Sequence, residues 1–254
     1  MAHGKWDVFL QYTYLFSKAK SSVSSDNLNT GILPLFSYTP NNSVLDSATY
    51  AVSSGATGFV SAARSNWNLH FDMFDFEMGK EIPIHYSFTL RPYFGLKGGW
   101  QTEFFQAFYT VSSYSTFDEL GSNRVISSQN YWGVGPRVGL DGKWGGLNGF
   151  GLFATSAISL MWSHFQNTAK SYDTNTTYTN VLIADQVFTL NTMNPVVELQ
   201  IGAKYAWQFK TRRRFWLEAA WEGQIWFYQN QHSSVIADLS LILQGLTASA
   251  GFEF

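Results

Sequence analysis

An all-β protein, its strands running up and down in antiparallel order and closing into a barrel, is what this sequence predicts, and three observations predict it. Apolar and polar residues alternate with a period of two in segment after segment, the period a strand imposes by pointing successive side chains to opposite faces. No run of about 18 apolar residues occurs, so no helix is available to cross a membrane. The alternation also persists to the end: in Leu246 to Phe254 (LTASAGFEF), Leu246, Ala248, Ala250, Phe252 and Phe254 are apolar, while Thr247, Ser249, Gly251 and Glu253 are small or polar. This last segment is the strand expected to close the barrel.

The first strand is predicted within residues 6 to 20, where Trp6, Val8, Leu10, Tyr12, Tyr14 and Phe16 share one parity against Asp7, Gln11, Thr13 and Ser17. Residues 21 to 63, rich in Ser, Asn, Thr and Gly and carrying Pro34 and Pro40, read as a long loop. From Asn66, Trp67, Leu69, Phe71 and Met73 oppose Asn68, His70 and Asp72; then Phe74, Phe76 and Met78 oppose Asp75 and Glu77, a phase slip that predicts a β-bulge. After a short connection, Phe88, Leu90, Pro92, Phe94, Leu96, Gly98 and Trp100 face away from Thr89, Arg91, Tyr93, Gly95, Lys97, Gly99 and Gln101, with a local gap or bulge expected at Pro92.

A polar loop is expected near 112 to 128. Beyond it, Trp132, Val134, Pro136, Val138 and Leu140 alternate with Gly133, Gly135, Arg137, Gly139 and Asp141. A Gly-Gly turn at 145 and 146 leads to a strand from about Phe150 to His164, and residues 167 to 186 read as another long polar connection. Met193, Pro195, Val197, Leu199, Ile201, Ala203, Tyr205 and Trp207 then oppose Glu198, Gln200, Gly202, Lys204 and Gln208. A short basic turn, Lys210 to Arg214, precedes Phe215, Leu217, Ala219, Trp221, Ile225 and Phe227, set against Glu218, Glu222 and Gln224. A loop around 229 to 238 reaches the last strand, with a phase slip expected near Gly245. The count is about eight strands, joined by alternately long and short connections, the asymmetry of outer-membrane barrels with long outer loops and short periplasmic turns.

Composition narrows the class. Nothing in the 254 residues shifts part-way, so a single domain over 1–254 is expected. Charged residues are 13% of the chain and aromatics 18%, against about 25% charged in an average soluble protein. A net charge of -2 with scattered Lys and Arg offers no basic face for nucleic acid. Cysteine is absent, so no disulfide or thiolate metal site is available. The start, MAHGKWDVFL, has no apolar signal region; the sequence is expected to be a mature chain or one that has lost its front end.

Alternation alone fits a soluble barrel with its apolar side inward. The polar face decides the matter: it is mostly Gly, Thr, Asn and Gln with a few opposed charges, too little charge for a water-facing exterior. The apolar face is therefore predicted to meet lipid, and closure is then required, because an unpaired edge in lipid leaves backbone groups unsatisfied. Trp6, Trp67, Trp100, Trp132, Trp162 and Trp207, near strand ends, fit interfacial belts.

Several segments resemble the Legionella-type major outer membrane protein family, pore-forming barrels also found in chlamydia-like bacteria. They are WDVFLQYTYLFSKA (6–19), WNLHFDMFDFEMG (67–79), FTLRPYFGLKGGWQ (88–101), YWGVGPRVGLDGKW (131–144), GFGLFATSAISLMW (149–162) and QGLTASAGFEF (244–254). A C-terminal strand ending in Phe also looks like the feature such barrels present to their insertion machinery. The resemblance implies a bacterial outer-membrane location and partners of three kinds: outer-membrane lipid, the barrel-insertion machinery and small hydrophilic solutes, with a homo-oligomer as a further expectation. Family members usually begin with a signal peptide and additional early strands, which are absent here. Eight strands closing alone leave an interior just filled by side chains.

The inward face is predicted to carry Asp72, Asp75, Glu77, Arg91, Lys97, Arg137, Asp141, Lys143, Glu198, Lys204, Glu218 and Glu222. In a wide barrel these would set up a transverse field that selects hydrated solutes; in a narrow one they would pair to offset burial. No catalytic residue, metal site or cofactor is expected. His70 and Asp72 share a strand face, but the five histidines are dispersed and a structural role is the simpler account. Ser163 and His164, as sequence neighbours, point to opposite sides of a strand and cannot form a dyad. Gly95, Gly98, Gly99, Gly133, Gly135 and Gly139 precede no helix, so they read as sites of bending or close packing rather than a phosphate loop. Arg212 to Arg214 either meet anionic headgroups or stay solvated, and Asn41-Asn42-Ser43 and Asn175-Thr176-Thr177 are chance matches to a glycosylation acceptor. The expected function is passive diffusion of small hydrophilic solutes through a porin-like barrel, the rival being a non-conducting barrel acting in adhesion or envelope structure through its long loops.

Overall fold

The structure, a computed structural model, describes residues 6–24, 50–51, 57–113, 119–145, 149–175, 179–209, 213–231 and 239–253. Their regular secondary structure is all strand: β1 (Trp6–Ser24), β2 (Tyr50–Ala51), β3 (Thr57–Lys80), β4 (Ile82–His85), β5 (Phe88–Ser113), β6 (Glu119–Gly145), β7 (Gly149–Asn175), β8 (Val181–Gln208), β9 (Arg214–Asn230) and β10 (Leu239–Glu253). The eight long strands lie in the order β1-β3-β5-β6-β7-β8-β9-β10, with β2 on β3 and β4 on β5. Every neighbour is antiparallel, and the sheet curls into a half-barrel. The expected up-and-down order of eight strands is the order observed.

Alternation sorts the side chains between a convex and a concave face, and the sorting changes sense part-way up the strands. Trp100 pairs with Trp132 across β5 and β6. On the short-turn side of that row the convex face exposes Phe74, Phe76, Phe94, Leu96, Val134, Val138, Leu140, Ile158 and Leu160, while the concave face buries Asp75, Glu77, Arg91, Lys97 and Arg137. Past the row His70, Thr102, Asn130 and Gln166 are exposed on the convex face, and Leu69, Phe71 and Phe165 are buried inside, with Met73 and Met161 just short of the row. A convex band that meets hydrocarbon must be apolar; beyond the bilayer the same face meets water and the apolar side turns inward, as in a soluble barrel.

This reversal corrects the predicted bulge near Met73. The β1–β3 and β3–β5 ladders run without a shift through residues 62 to 79; the backbone alternates steadily and the environment inverts around it. Irregularities fall elsewhere, among them between Val60 and Ala62 in β3, between Val111 and Ser112 in β5, between Ser171 and Tyr172 in β7, and in β9, where Trp226 to Asn230 bulge opposite Leu239 to Leu241 of β10. Register across Gly245 is continuous, so Leu241 and Leu243 face inward on the same parity as Thr247 and Ser249. Pro92 makes no bulge in the β5–β6 ladder. It lies where pairing with β3 ends, at Gly79–Tyr93, and pairing with β4 begins, at Ile82–Leu90, a gap that asks for no backbone donor.

Two expected loops are strands. Residues 119–128 belong to β6, and 167–175 and 181–186 to β7 and β8. Above the bilayer both faces of a hairpin tolerate polar residues, so apolar alternation fades while backbone pairing continues. Of the expected loop 21–63, residues 21–24 and 57–63 are strand and 50–51 form β2; the remainder lies outside the described residues. The expected closing contact is not among the described residues, where β1 pairs only with β3 and β10 only with β9. Leu246, Ala248, Ala250 and Phe252 stand on the convex side of that edge strand, and Phe254 lies outside the described residues.

Candidate functional site, an ion-paired concave face

Two glycines make room for the charges. A Cβ on Gly95 would stand 1.8 Å from the Phe76 carbonyl oxygen, and one on Gly135 2.0 Å from that of Leu160. The backbones of neighbouring strands therefore approach the concave face more closely than a side chain would allow. Gly95 pairs with Glu77 on one side and Arg137 on the other, so the larger side chains close over it.

Three cations meet five carboxylates here. Arg91 is held by Asp7, by Asp141 at 2.9 Å and by Glu77 at 3.4 Å. Lys97, 1% exposed, lies 2.8 Å from Asp75 and 3.1 Å from Glu198. Arg137 bridges the two groups, with Nη1 2.8 Å from both Asp75 and Glu198 and Nε 3.3 Å from Glu77. Tyr93 lies beneath both guanidiniums, at 5.3 Å from Arg91 and 5.9 Å from Arg137. Burying such charges is tolerable only because each is met by an opposite charge.

Towards the short turns the network loosens into a recess of about 790 Å³. Lys204 pairs with Glu218 at 2.9 Å and lies 4.3 Å from the Trp216 ring. Glu222 accepts from Gln224, which in turn accepts the indole N–H of Trp226. Lys143 pairs with Glu81 in the open. Towards the long connections the concave face is filled. Trp226 packs edge-on against Phe71 at 5.3 Å and Tyr131 at 6.3 Å, and Tyr131 meets Phe165 at 5.0 Å. A polar layer is threaded into this packing: Gln129 donates to the Gln229 carbonyl at 2.8 Å, Gln229 to Gln101 at 3.1 Å, and Gln101 to Glu103.

Of the residues predicted to face inward, the structure gathers Asp75, Glu77, Arg91, Lys97, Arg137, Asp141 and Glu198 into this network and puts Lys204, Glu218 and Glu222 along the recess. Asp72 is the correction. It stands on the convex parity with Phe74 and Phe76 and accepts a hydrogen bond from Tyr12, because no bulge intervenes to turn it inward. Trp67 is also inside, donating its indole N–H to Glu103 at 3.3 Å, so it belongs to the packed interior rather than a belt. Trp100, Trp132 and Trp162 are half or more exposed on the convex face. Sequence reasoning passed over Asp7, whose polar parity in β1 was the available signal, and Trp226, whose place opposite Ile225 marked it as inward.

A curled antiparallel sheet with an apolar, tryptophan-edged convex band and an ion-paired charge network on the concave face behind it defines an outer-membrane β-barrel-type protein. The family model described as Legionella pneumophila major outer membrane protein precursor matches residues 3–249, nearly the whole chain. The chain belongs to that family, and its place is the bacterial outer membrane. No curated protein and no solved structure matches it.

Proposed function

We propose that the protein serves passive diffusion of small hydrophilic solutes, its concave charges lining part of a wider water-filled wall. The observation that carries this reading is the ion-paired recess of about 790 Å³ under an apolar exterior. Opposed charges across an aqueous path favour hydrated polar solutes. An eight-stranded wall holds only side chains, so conduction requires the β1 and β10 edges to be paired by further strands, for which a second copy is the simplest source. No covalent step or cofactor enters the reading.

The packing of Trp226, Phe71, Tyr131 and Phe165 favours a second reading, a non-conducting barrel that acts in adhesion or envelope structure. Single-channel recording of refolded protein in a planar bilayer separates them. Steady ohmic steps from a heat-modifiable, oligomeric fraction are expected; a folded but silent sample sinks the diffusion reading and leaves the second.

A further inference from the structure

The cations of the two faces differ in what they meet. On the concave face Arg91, Lys97, Arg137 and Lys204 each lie within 2.9 Å of a carboxylate. On the convex face, past the tryptophan row, Lys18 and Lys20 of β1, Arg64 of β3, Arg124 of β6 and Lys170 of β7 form a basic band. Among the described residues only Lys170 of these has an acidic partner, Asp185 at 3.1 Å.

The strand register makes the band contiguous. Arg64 pairs with Phe108, Phe108 with Arg124, and Arg124 with Tyr172. Arg64 and Arg124 therefore flank one ring at two strand spacings, about 10 Å. Lys20 lies diagonal to Arg64, and Lys170 diagonal to Arg124. Arg64, Lys18 and Lys20 are exposed. The Arg124 guanidinium sits 5.8 Å from the Phe108 ring and 5.6 Å from that of Tyr172; its Nε is buried without a hydrogen-bond partner. Ring contacts on two sides fix the guanidinium without neutralising it, and its charge stays available to an anion from outside.

We propose that this band binds the phosphate groups of outer-leaflet glycolipid headgroups. The inference rests on the outer-membrane location and on the longer connections facing outward. Lys18 stands four residues past the tryptophan row and Arg64 and Arg124 eight, about 13 to 26 Å along the tilted strands, so the band runs outward from the lipid-facing face at the depth of large glycolipid headgroups, and juxtamembrane Lys and Arg are drawn to anionic ones. Paired guanidiniums suit phosphate because each offers several N–H donors in one plane.

The test uses the full chain refolded in neutral detergent, its folded state confirmed by heat-modifiable migration. It is titrated with a phosphorylated lipid A–core glycolipid and with the same glycolipid dephosphorylated, and binding is read by native mass spectrometry. Tighter binding of the phosphorylated form is expected, with R64Q/R124Q about thirtyfold weaker, about fivefold for each charge removed. K80Q, on the same face of β3 at the short-turn end, leaves binding unchanged. Inorganic phosphate in excess fails to displace the glycolipid. Equal binding of the two glycolipid forms, an unaffected double variant, an equal loss in K80Q, or displacement by inorganic phosphate, which would mark a free-anion site, each overturns the proposal. Should the double variant not fold, R64Q alone changes an exposed side chain; a loss of about fivefold supports the proposal and no loss overturns it.

Discussion

Lys97 is nearly inaccessible between Asp75 and Glu198, and its removal leaves those carboxylates to Arg137 alone. Breaking a buried charge pair from one side costs about 3–5 kcal/mol. Lys97→Met is therefore expected to lower stability by about that amount, seen as an earlier urea midpoint for barrel refolded into vesicles; an unchanged midpoint would mean that the network is open to water. Glycine supplies a second residue-scale contrast. The Cβ of Gly95→Ala meets the Phe76 carbonyl oxygen at 1.8 Å, whereas that of Gly245→Ala meets nothing within 4 Å. The first variant should lose about 3 kcal/mol or fail to give the heat-modifiable folded band, while the second should stay within about 1 kcal/mol of wild type.

Within an element, the reversal of faces past the tryptophan row is the feature that makes predictions. Ile158 and Gln166 both point outward from β7, but Ile158 lies on the lipid side of Trp162 and Gln166 beyond it. Ile158→Arg should cost about 2–4 kcal/mol, the penalty for a cation facing the bilayer interior. Gln166→Arg should change stability by less than about 0.5 kcal/mol. Equal costs in the same urea titration would show that the convex band has no boundary there. The β9 bulge is a second device of this scale. Tyr228 takes a left-handed φ of 56°, and Asn194 donates to the carbonyls of Phe227 and Tyr228, both at 3.0 Å. Asn194→Ala should loosen that turn by about 1–3 kcal/mol, read as faster amide exchange around residues 227 to 230.

For the whole molecule, the edges β1 and β10, which among the described residues pair only with β3 and β9, govern what the protein can do. Backbone groups left open in hydrocarbon cost several kcal/mol each, so the folded protein in a bilayer has these edges paired. Under the diffusion reading the pairing strands come from another copy, and the conducting fraction should sediment as an oligomer. Under the second reading the sheet closes on itself, and the silent, folded protein should sediment as a monomer. Sedimentation and conductance measured on one preparation must therefore agree; a conducting monomer would contradict both.

The sequence by itself determined the strand class, the order of the strands and the polarity of most positions within the bilayer, because lipid on one side and water or packed charge on the other impose a strict period of two. That period carried Arg91, Lys97, Arg137 and Glu198 to one face without any knowledge of their partners. It could not carry Asp72, since an inversion of environment and a one-residue bulge write the same pattern into the residues. Strand length past the membrane was equally hidden, for Ser, Thr and Asn pair their backbones in a wet hairpin as readily as they form a loop. Only the tertiary structure decided which carboxylate each cation meets, that Trp226 and Phe71 fill the interior, and that among the described residues β1 and β10 stand at the two edges of a half-barrel. These are matters of distance between residues far apart in the chain, such as Gln101 and Gln229 or Phe71 and Trp226, and local alternation carries no record of them.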